Sequence, residues 1–120
     1  KEPKILSLIP KELHYMWYRG YIDGDGCWYL NMNTYLRQFI ISSEYNNDWS
    51  YIEKLFDSLN VKYSISRTIS KKGHQSSSIR SCGYNNICKI GNYLYQDNIG
   101  IGLKRKYSKF LDIQNSSLIS

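Results

Sequence analysis

The stretch Tyr18-Arg19-Gly20-Tyr21-Ile22-Asp23-Gly24-Asp25-Gly26 closes a segment whose spacing predicts a helix over Pro10 to Gly24. Leu13, Trp17, Gly20 and Gly24 fall four, three and four residues apart, which lines them on one helix face. Gly26 then stops the helix. A glycine inside a helix costs about 1 kcal/mol, so two on one face are tolerated where close approach compensates. The natural occupant of such a face is another helix, packed backbone to backbone. Asp25 stands at the C-terminal end, where the helix dipole disfavours a carboxylate unless a cation is near. A second copy of the helix crossing the first would bring two Asp25 carboxylates together. Like charges that close require a divalent cation, and hard oxygen ligands select ions of the Mg²⁺ type.

Outward from this stretch, Cys27 to Asn33 alternates, with Trp28, Leu30 and Met32 on one side and Tyr29, Asn31 and Asn33 on the other, as a half-buried strand does. A turn at Asn33 and Thr34 leads into a second strand over Tyr35 to Ser43. Trp49, Ile52, Leu55, Phe56 and Leu59 have helical spacing, with Asn47 or Asp48 as N-cap and Asn60 as stop. Val61 to Ile69 and Ser76 to Cys82 read as a second hairpin around the turn Lys71-Lys72-Gly73. Asn85 or Asn86 caps a further helix through Ile87, Ile90 and Leu94, and Lys104 to Leu111 forms a last one after Gly100 and Gly102.

Two hairpins interleaved with helices predict an α+β domain, a four-stranded antiparallel sheet with its helices on one face. The other face stays open. It reads polar: Tyr29, Asn31 and Asn33, then Gln38 and Ser42, then Ser64, Ser66 and Thr68, then Ser76, Ser78 and Arg80. A register shift of one residue would put Arg37 in place of Gln38. The domain is expected over residues 10–113, behind an N-terminal extension (1–9) and ahead of a flexible tail (114–120). The first residue is Lys1 rather than Met, which suggests residues upstream.

The chain has 120 residues, enough for one modest core and not two. Its net charge of +6 and pI near 9.2, with twelve tyrosines against three phenylalanines, suit a surface that meets a polyanion. No apolar run approaches the roughly 18 residues of a membrane span, and Ile5 to Ile9 is too short for a signal peptide, so an intracellular protein is expected. Cys27, Cys82 and Cys88 form no C-x-x-C pair and His14 and His74 stand alone, which argues against zinc and for reduced thiols. An EF-hand reading of Asp23 onward fails because the twelfth position is Thr34, and Gly100-Ile101-Gly102 lacks what a nucleotide loop needs.

The nonapeptide resembles the LAGLIDADG motif of homing endonucleases at Gly20, Ile22, Asp23, Gly24, Asp25 and Gly26, and departs from it at Tyr18, Arg19 and Tyr21. The element order over Pro10 to Leu111 is similar to one αββαββα half-domain of that family. The resemblance implies a homodimer whose two motif helices pack at a two-fold axis, with Leu13, Trp17, Gly20 and Gly24 in the seam. It further implies Asp25, beside Gly24, as the ligand of Mg²⁺ or another hard divalent cation, and Asp23 as a structural helix-end residue. Glu44 or Ser43 falls near the scissile phosphate, and Lys104 at the later loop-to-helix junction stabilises developing charge. Two saddle-shaped sheets would lie in the DNA major groove, and the activity implied is hydrolysis of one phosphodiester per strand, in the service of intron or intein mobility. Arg67, Lys71 and Lys72 would add phosphate contacts that position without specifying. The alternative is a domain of the same fold that binds DNA or RNA without cutting. Retention of Asp25 favours the enzyme.

Overall fold

The computed structural model describes residues 4–96 and 104–116, the side chains of Asp23 and Lys104 excepted. A short helix α1 (Lys4–Leu8) and a 3-10 turn (Lys11–Leu13) precede α2 (His14–Asp25). There follow β1 (Gly26–Asn31), β2 (Leu36–Ser43), α3 (Ser50–Ser58), β3 (Ser64–Ile69), β4 (Gln75–Cys82), α4 (Tyr84–Leu94) and α5 (Lys104–Asn115). The strands form one antiparallel sheet in the order β1-β2-β4-β3. This is the expected α+β architecture, with α1 added at the front.

Alternation decides which face is covered. Trp28 pairs with Phe39 and Gly26 with Ile41, and Ile79 lies opposite both Ile41 and Ile65. Trp28, Phe39, Ile41 and Ile79 are buried, against Ile22 of α2, Ile52 and Phe56 of α3, Ile87, Ile90 and Leu94 of α4, and Phe110 and Ile113 of α5. Two serines on this covered face are satisfied: Ser77 accepts from Trp49 Nε1 (3.0 Å) and donates to the carbonyl of Glu44, and Ser81 donates to that of Lys62. Gly91 lets α4 and α5 meet, since a Cβ there would lie 2.0 Å from the Phe110 ring.

Several expected boundaries move. The N-terminal extension contributes α1, whose Leu6 is buried in the core. Asn60 ends α3 in the left-handed conformation as expected (φ 58°), and Asp48 Oδ1 accepts the N–H of Ser50. Helix α4 starts at Tyr84 after Gly83 (φ 99°), so neither Asn85 nor Asn86 caps it. Asn86 instead donates to the carbonyl of Cys82 and accepts the N–H of Lys62. The tail expected from 114 is packed through Ser116. Arg37 donates to Ser116 Oγ (2.7 Å) and Tyr84 to the carbonyl of Gln114. The Gly100-to-Gly102 stretch and residues 117–120 lie outside the described residues.

Candidate functional site

The nonapeptide forms the second half of α2, and its residues divide cleanly between inside and outside. Tyr18, Arg19 and Ile22 are buried. Tyr18 donates to the carbonyl of Tyr51, Arg19 to that of Leu94, and the Tyr21 hydroxyl accepts from Tyr51 at 3.0 Å. The three departures from the motif therefore all serve this chain's own packing. Outward lie Gly20 and Gly24, both exposed, and a Cβ built at either would find nothing within 4 Å. Neither glycine is required by any contact within the described residues. Leu13 and Met16 flank the notch at 43% and 42% exposure, while Trp17 is half-buried, stacked on Tyr21 with centroids 5.6 Å apart. Met16, four residues before Gly20, escaped the sequence reading.

Asp25 is exposed at the end of this helix. Burial, the bond to Tyr51 and the charge of Asp25 together hold the Tyr21 phenol above its ordinary range, in that order. The cation that the helix end calls for is Lys106, half-buried on α5, whose Nζ donates to the carbonyls of Gly26 and Ile22. Lys104, the basic residue that the resemblance implies, starts α5, and its side chain lies outside the described residues, as does that of Asp23. Among the described residues no cluster of three or more His, Cys, Asp or Glu is gathered for a metal. One chain offers a hard oxygen set of the Asp25 carboxylate and the Gly24 carbonyl. That chemistry suits Mg²⁺, but it is half a site unless a second copy adds its own.

Gly26 pairs with Ile41, so the end of β2 lies at the same end of the sheet as Asp25. Glu44, exposed, follows there, and its carbonyl accepts from Ser77 and from the N–H of Asn47. The register settles the phase of β2: Gln38 opposes Tyr29 and Cys82 on the open face, and Arg37 turns inward to Ser116.

Across the open face the side chains form rows. One holds Cys27, Ile40, Arg80 and Ser64, the next Ser42, Ser78 and Ser66, and a further one Ser76 and Thr68. Asn31 belongs here by alternation, yet its Oδ1 accepts the N–H of Asn33 (2.9 Å) and of Thr34 (3.4 Å), closing the β1–β2 turn in which Asn33 stands exposed. Lys71 and Lys72 are exposed in the β3–β4 turn. Arg67 does not join them as expected. It sits opposite Ser77, in phase with the covered side though itself exposed on the edge strand, and donates to the carbonyls of Tyr45 and Asn47.

No protein-family model and no curated protein sequence matches the chain. Solved structures do. The chain is similar to the homing endonuclease I-CvuI in complex with its target, with TM-score 0.60 and 12% identity over 87% of this chain and 65% of that one. It is similar to the archaeal intron-encoded homing endonuclease I-Vdi141I complexed with DNA, with TM-score 0.64 and 16% identity over 92% of this chain and 72% of that one. The LAGLIDADG meganuclease I-AabMI bound to uncleaved DNA gives TM-score 0.58 and 19% identity, covering 88% of this chain and 36% of that one. The chain thus spans just under two thirds of I-CvuI and about a third of I-AabMI. These likenesses show that the chain has the fold of the LAGLIDADG homing endonucleases.

Proposed function

We propose that this chain is one half of a homodimeric, divalent-metal-dependent, site-specific DNA endonuclease. The observation that carries the reading is the open notch at Gly20 and Gly24 beside an exposed Asp25, on a helix whose other face is fully occupied. Glycines cost helix stability, and here the described residues draw nothing from the space they leave. A second α2 crossing at the notch makes use of it, and it sets two carboxylates at one point. Similarity to proteins solved with DNA supports the substrate class.

In this reading each residue has a definite task. Gly20 and Gly24 admit the partner's backbone, and Leu13, Met16 and the exposed edge of Trp17 seal the seam. Lys106 holds the carbonyls of Ile22 and Gly26 on either side of Asp25 and so fixes where Asp25 is presented. The two Asp25 carboxylates would hold Mg²⁺, which when bound supplies charge neutralisation and water activation. Glu44, at the same end of the sheet, faces the region of the scissile phosphate, and Lys104 at the start of α5 offers a cation to developing negative charge. The open face lies against the major groove, and Lys71 and Lys72 touch phosphate.

The test is Asp25→Asn. With Mg²⁺ and a randomised duplex library, the intact chain should yield cut ends, and the variant should bind the same duplexes without cutting. Cutting by Asp25→Asn would remove the metal assignment. Binding without cutting by the intact chain would mean a domain of this fold that only binds.

A further inference from the structure

The polar face is not uniform, and its chemistry changes along the strands. Level with Asp25, the rows hold only short hydroxyls: Ser42, Ser78 and Ser66, then Ser76 and Thr68. A hydroxyl donates or accepts equally well and distinguishes bases poorly. Farther from Asp25 the rows hold longer groups, Tyr29, Gln38 and Arg80. Asn31, which could also make paired hydrogen bonds, is committed: its oxygen closes the turn and its Nδ2 donates to the Tyr29 hydroxyl at 3.4 Å.

Two groups able to make paired hydrogen bonds to a base edge therefore remain on the paired rows. The Gln38 oxygen is steadied by the Cys82 thiol at 3.9 Å, and its amide N–H groups stay available. Arg80 is exposed between Ile40 and Ser64, and no acidic residue occurs in any paired row of the open face. Resting on the DNA-binding reading above, we infer that Gln38 and Arg80 are the two residues of the described open sheet face that read bases, and that base pairs level with Asp25 are not read from it. An amide pairs with the N6/N7 edge of adenine and a guanidinium with the O6/N7 edge of guanine. Gln38 lies opposite Cys82, two residues from Arg80 on β4, a diagonal relation that spans about 7–8 Å. At about 3.4 Å per base pair, the adenine and the guanine fall roughly two pairs apart in each half-site.

Selection from a randomised duplex library, with bound sequences read out for the intact chain, Gln38→Ala and Arg80→Ala, tests this. The intact chain should enrich two purines per half-site, each preferred about ten-fold or more, with flat preferences nearer the centre. Gln38→Ala should erase the adenine preference alone and Arg80→Ala the guanine preference alone. Strong preferences that survive both substitutions, or equal weakening on every duplex, would overturn the assignment while leaving DNA binding intact. Recovery of duplex with flat preferences throughout would overturn this inference alone, and recovery of no duplex would overturn the DNA-binding reading with it.

Discussion

Lys106 on α5 donates through Nζ to the carbonyl of Gly26, 80 residues earlier, and thereby ties the last described helix to the end of the motif helix. The same ammonium reaches Ile22 O at 3.4 Å. Ile22 lies in the last turn of α2, where its carbonyl also receives the N–H of Gly26, and Gly26 itself opens β1 just past the helix end. A mobile surface lysine would not be half-buried at two such acceptors.

Lys106→Met keeps the packed stem and removes the donor. Its expected cost is about 1–3 kcal/mol of stability, since a buried carbonyl loses a charged partner. Lys106→Arg should recover part of that. Chemical denaturation of the three forms checks it, and equal midpoints for Lys106→Met and the parent would refute the tie.

Gly91→Ala should destabilise the fold by about 1–3 kcal/mol, because the added methyl meets the buried Phe110 ring at 2.0 Å and neither helix can retreat without opening the core. Thermal unfolding reads this directly. Pairing it with Phe110→Leu should relieve much of the loss, and strict additivity of the two would count against a steric cause.

Phosphate contacts are distinguished from structural ones by salt. Lys71→Ala and Lys72→Ala should each lower the slope of log binding constant against log salt by about 1. Arg67→Met should leave that slope alone and loosen the 44–48 loop, whose carbonyls at Tyr45 and Asn47 it now holds. A slope change in Arg67→Met equal to that of the lysines would restore it to the DNA contacts.

Legibility in the sequence followed the range of the forces involved. The sheet was readable where apolar and polar residues alternate, as Trp28 does in β1 and Ile79 in β4, while Phe39-Ile40-Ile41 left the phase of β2 open until the register fixed it. The motif helix was readable from four residues on one face. What escaped depends on contacts distant in sequence. Helix α1 is five residues long and is held by one side chain, Leu6, with no local signal strong enough to announce it. Ser116 is packed because Arg37 reaches it across 79 positions. Lys106 reaches the end of α2 through the docking of α5 on β1, a contact that no local pattern around Lys104 to Lys106 announces. Asn31 looked like a base reader by alternation, and its commitment to the turn became visible only in the geometry of residues 31–34.

The seam at Gly20 is the centre of the account, and sedimentation velocity of Gly20→Leu beside the parent chain tests it most directly. No described residue lies within 4 Å of a Cβ at this position, and leucine favours a helix over glycine by close to 1 kcal/mol, so the variant should still fold. The parent should sediment as a dimer and Gly20→Leu as a folded monomer. A folded Gly20→Leu that sediments as the parent does would contradict the account.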